Sequence, residues 1–285
     1  MCNKEESFVG DEIGAWSQLK LTIVKKYLKP YSQILSNKGF EHFYIDAFSG
    51  AGLHKSKKTR KIIFGSPYNA VNTNPPFKHY YFIDKNLKKL EFLRRYLSIN
   101  GFKKNITYYN EDSNHIITNE LVPYINKSRK RRALCFLDPY GLHLNWNTVE
   151  AVGNSNKTDI FINFPWADIQ RNILHKRFNT VLDLHKDRMT LFWGDNSWKE
   201  IAFEETTDLF NKTSYTKVAN AKQLLTQAYK ERLMKTANFK EVLDPLPIYM
   251  SNNVILFYLY FASQQKVATK IASDIFKNEF QPKLF

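Results

Sequence analysis

The segment Asp46-Ala47-Phe48-Ser49-Gly50-Ala51-Gly52 decides the fold class of this 285-residue chain. It ends a short apolar and aromatic run, and its two glycines permit a tight turn and a close approach of the backbone to a ligand. The chain contains only 10 glycines, so two of them within three positions after such a run are a specific signal. The pattern predicts a strand of an open α/β sheet that ends in a ligand-binding loop.

Further short β-rich runs alternate with helical patterns around this segment. The predicted strands are 42–48, 79–84, 106–109, 133–138 and 159–164, and 246–250 with 254–262 form a predicted hairpin. Helical connections between the first five strands indicate a parallel, doubly wound sheet that is covered on both faces. An antiparallel hairpin at its edge is typical of the class I methyltransferase type of Rossmann-like α/β fold, whereas the nicotinamide-binding type ends in a further parallel strand.

Two segments fall outside this alternation. The first, 1–40, contains a helix from about 13 to 29 that Pro30 stops or bends, and we expect it to pack on the α/β domain of 41–285. The second, a mostly helical insertion at about 166–244, is longer than one crossover helix needs. It leaves the carboxyl end of a strand, where ligands bind, so we predict that it caps the site. A structural lobe away from the site is the alternative.

Composition restricts the class of protein. Lysine and arginine exceed aspartate and glutamate by 42 − 27 = 15, which favours a polyanionic partner such as nucleic acid; a merely soluble, lysine-rich surface is the alternative. The longest apolar run, 254–262, is far shorter than the roughly 20 residues that span a bilayer. Two cysteines, Cys2 and Cys135, exclude a disulfide framework or a cysteine zinc cluster, and no carboxylate and histidine spacing indicates a metal site. With a polar N-terminus, we expect a cytoplasmic protein.

The residues after the first three strands predict the cofactor. Lys55 stands where a nicotinamide fingerprint needs its third glycine, and no phosphate-binding loop of the nucleotide-triphosphate type occurs. S-adenosylmethionine has no phosphates, and its ribose diol and adenine amine suit the acceptors Asp84 and Asp112. Both aspartates can instead simply cap the helices that follow them. The predicted cofactor-binding residues are Asp46, Phe48, Gly50, Gly52, Asp84, Asp112 and Ser113.

The turn Leu137-Asp138-Pro139-Tyr140-Gly141 ends the fourth strand, beside the first, and predicts the reaction centre. A carboxylate and a backbone carbonyl can hold a poorly nucleophilic amine by its N–H groups, and a tyrosine ring can stack on a base. We assign Asp138, Pro139 and Tyr140 as catalytic residues; an ordinary strand-to-loop turn is the alternative. Cytosine C5 methylation would need a thiolate at this rim, but Cys135 lies in mid-strand. The predicted substrate-binding residues are Gly141, Asn163, Pro165, Lys55, Lys57 and Lys58.

Several motifs along nearly the whole chain together resemble the three-Cys-motif partner family. They are the helix with Trp16, Lys20, Tyr27 and Tyr31, the 44–52 loop, Gly65-Ser66-Pro67, Phe82-Ile83-Asp84-Lys85, the 136–141 turn, Asn163-Phe164-Pro165, and Tyr258-Leu259-Tyr260-Phe261-Ala262-Ser263. The resemblance implies a methyltransferase-like fold and a partner protein that carries a three-cysteine motif.

Two of these motifs also bear on the substrate. The 46–52 loop is similar to that of DNA methyltransferases, and the 138–141 turn is similar to the D-P-F-G of tRNA guanine-N2 dimethyltransferases. The chain departs from related patterns in the single proline of this turn and in Ala51. The prediction is therefore S-adenosylmethionine-dependent methylation of an exocyclic base amine. The alternative is a non-catalytic scaffold that binds nucleic acid or the three-Cys-motif partner.

Overall fold

A computed structural model describes residues 9–102, 105–207, 213–250 and 253–279. Cys2 and residues 251–252 of the predicted hairpin turn lie outside these ranges. The strands are β1 (Asp11–Ile13), β2 (Glu41–Asp46), β3 (Leu53–Ser56), β4 (Ile62–Phe64), β5 (His79–Ile83), β6 (Ile106–Tyr109), β7 (Arg131–Leu137), β8 (Thr158–Phe164), β9 (Phe203–Thr207), β10 (Thr213–Lys217), β11 (Glu241–Val242), β12 (Leu246–Tyr249) and β13 (Ile255–Ser263).

The helices occur between and after these strands. They are α1 (Ala15–Asn37), α2 (Ser66–Val71), α3 (Leu87–Ile99), α4 (Ser113–Ile116), α5 (Val122–Asn126), α6 (Trp146–Asn154), α7 (Trp166–Asn172), α8 (Asp183–Trp193), α9 (Ser197–Ala202), α10 (Ala221–Lys235) and α11 (Lys266–Glu279). A π-helical turn, Ile117–Leu121, joins α4 to α5, and a short 3-10 turn, Phe178–Thr180, precedes α8.

The central sheet has the strand order β11-β13-β8-β7-β2-β5-β6, and β12 also pairs with β13. Strands β6, β5, β2, β7 and β8 are parallel, and β13 runs antiparallel between β8 and the edge strands β11 and β12. The five predicted parallel strands and the terminal antiparallel hairpin are thus confirmed. This is a mixed α/β architecture with a mostly parallel sheet.

Two hydrophobic layers cover the two faces of this sheet. Side chains alternate along β2, so that Phe43 and Ile45 join one cluster and Tyr44 joins the other. The Tyr44 face is covered by α1, α2, α3 and α11, and the Phe43 face is covered by α5, α6 and the helices α7 to α10. Because both faces of the sheet are buried, the sequences of the central strands are nearly continuous apolar runs.

Helix α1 does not stop at Pro30, so the helix end predicted at about residue 29 is wrong, while a bend at this proline stays a prediction. The helix continues to Asn37 with Pro30 inside it. Tyr27 before the proline, and Tyr31 and Ser32 after it, are all buried against the sheet layer. A proline inside a helix costs about 3 kcal/mol, and the burial of apolar side chains on both sides of Pro30 offsets this cost.

The basic segment 55–61 belongs to a β-hairpin. Strand β3 pairs antiparallel with β4 and parallel with β1, forming a small sheet of order β1-β3-β4. In this register Asp11 lies opposite His54. The small sheet brings residues from before α1 to the carboxyl-end edge of the main sheet, where the glycine loop lies.

The insertion after β8 consists mainly of helices α7 to α10. It also contains the antiparallel pair β9 and β10 and the 3-10 turn before α8. Its buried side chains, such as Phe192 and Tyr229, belong to the same hydrophobic cluster as the Phe43 face of the sheet. The insertion therefore shares one core with the main sheet.

Candidate functional site

The carboxyl ends of β2, β5, β6 and β7 open onto one cavity of about 500 Å³. This volume lies within the range of small-molecule sites. The wall formed by the main sheet, which we call the sheet wall, consists of residues that follow these four strands. They are Ala47, Phe48, Ser49, Gly50, Asp84, Lys85, Asn86, Glu111, Asp112, Ser113, Asp138, Pro139, Tyr140 and His143.

The glycine loop after β2 is tied to both neighbouring strands. The Ala47 amide donates to the Phe136 carbonyl at 3.1 Å, and the Ser49 amide donates to the Ile83 carbonyl at 2.9 Å. Gly50 lines the cavity with a φ of +58°, a conformation that L side chains rarely adopt. Gly52 instead packs away from the cavity, because a Cβ there would lie 2.4 Å from Leu93 of α3. Gly50 thus shapes the cavity wall, while Gly52 permits close helix packing.

Asp84 links the second strand to this loop. Its Oδ2 accepts a hydrogen bond from the Gly50 amide at 2.8 Å, and its Oδ1 accepts one from the Asn86 amide at 2.7 Å. Asn86, and not Asp84, is the N-cap of α3, where it accepts from the Lys89 amide. A carboxylate has about four acceptor positions, so Asp84 keeps acceptor capacity that a ligand diol can use.

Asp112 is both a helix cap and part of the cavity wall. Its Oδ1 accepts from the Asn114 and His115 amides at the start of α4, and its Oδ2 lies 2.6 Å from Lys85 Nζ. Partial burial raises the pKa of Asp112, but Lys85 and the Asn114 amide outweigh burial and hold the pKa below its usual value. The capping alternative therefore applies to Asp112, and its carboxylate is ionised beside the cavity.

Asp46 lies behind the cavity wall rather than on it. The residue is fully buried, Tyr44 donates its hydroxyl to Oδ2 at 3.1 Å, and Oδ1 has no hydrogen-bond partner among the described residues. Burial raises the pKa of Asp46 to about 7, and the nearby charge of Asp138 adds to the rise. Of the seven predicted cofactor residues, Asp46 and Gly52 are therefore the two that do not line the cavity.

Asp138 at the predicted reaction centre is held by two side chains. Lys20 Nζ lies 2.6 Å from Oδ1 and 2.5 Å from Oδ2, and Asn163 Nδ2 donates to Oδ1 at 2.8 Å. Lys20 is 6% exposed, and its Nζ lies 4.9 Å from the centre of the Phe257 ring. These contacts fix the orientation of the Asp138 carboxylate.

Lys20 is the functional candidate that sequence reasoning missed, apart from its place in the family resemblance. The sequence does indicate that Lys20 is buried, because it lies four residues after Trp16 and three before Ile23, on the apolar face that predicts α1. A lysine on a buried helix face needs an anionic partner. No local pattern identifies that partner, which lies 118 residues away in Asp138.

The other predicted residues of the reaction centre divide into two groups. Pro139 and Tyr140 line the cavity, and Tyr140 is 89% exposed with its ring 6.5 Å from that of His143. The remaining predicted substrate residues do not line it. Gly141 lies beside the Asp168 carboxylate, and the Asn163 side chain donates a hydrogen bond to Asp138. Pro165 is buried immediately before α7. Lys55, Lys57 and Lys58 belong to the β3–β4 hairpin, where Lys57 and Lys58 are exposed.

The opposite wall of the cavity comes from the N-terminal part of the chain, and we call it the N-terminal wall. It consists of Asp11, Ile13, Ser17, Lys20, Leu21, His54, Ser66 and Lys89. Ion pairs hold it in place: Lys89 Nζ lies 2.7 Å from Asp11 Oδ2, and Arg60 pairs with Glu12. None of the described residues of 166–244 lines the cavity, so capping by the insertion stays a prediction.

The described ranges contain neither a candidate metal-binding group nor a candidate membrane-spanning helix. In these ranges no group of three or more His, Cys, Asp and Glu side chains is arranged to hold a metal ion. None of their helices has the length and apolar character needed to cross a bilayer.

Comparison with known proteins supports the fold. No family model and no curated protein matches the chain. Among solved structures, the Legionella pneumophila protein LPL1258, of the DUF519 family, is 15% identical with a TM-score of 0.50 over 94% of this chain and 95% of that one. At this identity the likeness establishes the fold alone.

Other structural neighbours include S-adenosylmethionine-dependent methyltransferases. One from Clostridium acetobutylicum is 15% identical, with a TM-score of 0.39 over 84% of this chain and 91% of its own. The methyltransferase domain of the bacterial protein CtHen1 is 10% identical, with a TM-score of 0.39 over 85% of this chain and 99% of its own. These two are too distant to support a shared activity. The likeness to the three-Cys-motif partner family stays a sequence resemblance.

Proposed function

We propose that this protein transfers a methyl group from S-adenosylmethionine to an exocyclic amine of a nucleic-acid base. The observation that carries the proposal is that one cavity combines the Gly50–Asp84 pair and Asp112 with the Asp138-Pro139-Tyr140 turn. Cofactor-type acceptors and an amine-binding turn thus lie within the reach of one small molecule.

The chemistry of the sheet wall suits the cofactor. S-adenosylmethionine carries a positive sulfonium, an ammonium group, a ribose diol and an adenine amine, all of which favour acceptors or negative charge. Asp84 and Asp112 supply carboxylates, and Glu111 adds a third acidic side chain to the same wall. When bound, the cofactor would supply an electrophilic methyl group, and these residues would bind and orient it.

The turn after β7 suits an amine acceptor. The Asp138 carboxylate and the Pro139 carbonyl can accept hydrogen bonds from the two N–H groups, which positions the nitrogen and stabilises developing positive charge. The exposed ring of Tyr140 offers a face on which a base can stack, a contact worth about 1–3 kcal/mol. Cys135 is buried within β7, and burial raises the pKa of its thiol, which disfavours a thiolate mechanism.

Charge supports a nucleic-acid substrate. The chain has a net charge of +15, and the exposed Lys57 and Lys58 extend from the same hairpin that places His54 in the cavity. Phosphates of a bound strand can pair with these lysines while one base enters the cavity, so binding should weaken as salt increases.

A labelled-methyl assay over mixed DNA and RNA pools tests this function. With Asp138→Ala, we expect transfer to fall by at least about 100-fold while cofactor affinity, measured by calorimetry, is largely kept. Asp274→Ala on α11 is the matched control, because Asp274 is exposed and far from the cavity lining. Unchanged transfer by the Asp138 variant would remove this residue from its role.

The second candidate is a non-catalytic scaffold that binds nucleic acid or a protein partner. One observation favours it: Lys20 and Asn163 already occupy the Asp138 carboxylate, so an acceptor amine must compete with them. Calorimetry with S-adenosylmethionine and S-adenosylhomocysteine separates the two candidates. A scaffold without the cofactor site would bind neither molecule and would transfer no label to any pool.

A further inference from the structure

Two histidines line the cavity, His54 on the N-terminal wall and His143 on the sheet wall. His54 is on β3, which pairs with β1 on one side and with β4 on the other. This pairing fixes its backbone opposite Asp11 and directs the side chain to the N-terminal wall. Its position is thus set by the small sheet rather than by a flexible loop.

Neither ring nitrogen of His54 makes a hydrogen bond to a described residue. Nδ1 is buried without a partner, and Nε2 lies 3.1 Å from the place that a Cβ on Gly65 would occupy. Nδ1 is enclosed by the wall, so Nε2, which no described residue hydrogen-bonds, is the nitrogen that a ligand in the cavity can contact. The ring has a free lone pair that no protein donor uses.

Charged groups face His54 from four elements. They are Asp11 from β1, Lys20 from α1, Asp138 from the turn after β7, and Lys89 from α3. Burial lowers the pKa of His54 below its usual value; Asp11 and Asp138 oppose this effect, and Lys20 and Lys89 reinforce it. At neutral pH the imidazole is therefore uncharged and able to accept a proton.

We propose that His54 is the general base that takes a proton from the amine as the methyl group is transferred. This inference rests on the proposed methyl transfer. The sulfur–methyl bond breaks and its electron pair stays on sulfur, while the amine lone pair forms the new nitrogen–carbon bond. As positive charge develops on the nitrogen, one of its N–H protons passes to His54, which releases it to water as products leave.

The other groups near the cavity are less suited to this role. The Asp138 oxygens already accept hydrogen bonds from Lys20 and Asn163. Asp46 is fully buried behind the wall. His143 also lines the cavity, with its ring 6.5 Å from the Tyr140 ring, but it is exposed, so its side chain is less firmly held than that of His54.

The pH dependence of methyl transfer tests the inference without any substitution. As the pH falls through the lowered pKa of His54, the imidazole becomes protonated and kcat/KM should fall with it, giving an acid limb. The measurement uses the full chain from about pH 5 to about pH 9, with cofactor affinity measured at each pH by calorimetry. A flat profile over this range would overturn the inference.

Variants of His54 give a second, independent readout. In His54→Gln we expect kcat to fall about 100-fold with cofactor affinity unchanged, and the acid limb to disappear. In His54→Ala we expect added imidazole to restore part of the lost rate, which a purely structural role would not explain. His115→Gln is the control, because His115 is exposed and contacts only Asn119 through its ring.

The outcomes separate this inference from the proposed function. A wild-type protein that binds no cofactor and transfers no methyl group would refute both. An active wild-type protein whose His54→Gln variant keeps its full rate and its acid limb would refute only the role of His54. A variant that loses activity, loses the acid limb and is rescued by imidazole would support it.

Discussion

The two walls of the cavity are built in different ways. On the sheet wall, each functional residue lies within a few positions of a strand end, as with Gly50 after β2, Asp84 after β5 and Asp112 after β6. On the N-terminal wall, contacts join residues far apart in sequence, such as Lys20 with Asp138 and Asp11 with Lys89, 78 residues apart. The sheet wall is a local feature of the chain, and the N-terminal wall is a tertiary one.

This difference separates two tasks within one site. The sheet wall supplies acceptors suited to a cofactor, and its geometry follows from the parallel sheet. The N-terminal wall supplies the Lys20 ammonium and the His54 imidazole, which act where the amine substrate would bind. Lys20 fixes the Asp138 carboxylate, and His54 faces the same carboxylate. Changes in the N-terminal wall should therefore affect turnover more than cofactor binding, and changes in the sheet wall should do the reverse.

The largest expected effect comes from Lys20→Met. The substitution leaves the partly buried Asp138 carboxylate without its cation, so we expect about 2 kcal/mol loss in unfolding free energy and at least about 100-fold slower transfer. Denaturant unfolding and the labelled-methyl assay measure the two effects. Lys25→Met, an exposed lysine on the same helix, is the control. If both lysine variants behave alike, the Lys20–Asp138 pair has no role.

Gly65→Ala tests the packing of the N-terminal wall. A Cβ at this position would lie 2.8 Å from the Gly52 carbonyl oxygen and 3.1 Å from His54 Nε2. We expect about 1–3 kcal/mol loss of stability from overpacking, measured by thermal unfolding, together with a lower kcat as His54 is displaced. Gly101→Ala is the comparison, because Gly101 has no neighbour within 4 Å of its Cβ position, so only its backbone strain is tested. Equal kcat values in the two variants would contradict the packing argument.

Asp46→Asn tests the buried carboxyl behind the sheet wall. Because the pKa of Asp46 is raised to about 7 in the fold, folding favours the protonated form. Its contribution to stability is complete below the unfolded pKa of about 3.9 and is lost as the pH rises through about 7. We expect this group to make the native protein about 1 kcal/mol less stable at pH 8 than at pH 6.

In Asp46→Asn this part of the pH dependence should vanish. Denaturant unfolding at the two pH values measures it. Asp159, which is partly buried and has a pKa raised to about 6, remains in the variant and contributes in the same direction. A variant with the same pH dependence as the wild type would show that Asp46 does not titrate in this range.

The smallest expected effect is that of Asp112→Asn on the sheet wall. Asparagine caps helices as well as aspartate does, so stability should change by less than about 0.5 kcal/mol. Loss of the carboxylate should weaken cofactor binding by about three- to tenfold, measured by calorimetry, with kcat unchanged. A selective fall in kcat would contradict the division of tasks between the walls.

Sequence patterns predicted the features that depend on neighbouring residues. The five parallel strands, the terminal hairpin and the cavity positions of Gly50, Asp84 and Asp112 follow from apolar runs that end in glycine or acid. The passage of α1 through Pro30, the β3–β4 pairing, the partner of Lys20 and the burial of Asp46 did not follow from such patterns. Each depends on packing between elements that are distant in sequence, which overrides local preference.

The place of β13 has a consequence for synthesis on the ribosome. This strand pairs with β8 on one side and with β12 on the other. During synthesis, β8 therefore has no partner on this edge until residues ~90 positions after Phe164 have emerged from the ribosome. At about 5–20 residues per second, that edge stays unpaired for roughly 5–20 s in every nascent chain. An unpaired strand edge is a template for aggregation, so chains that terminate within the insertion should accumulate in the insoluble fraction.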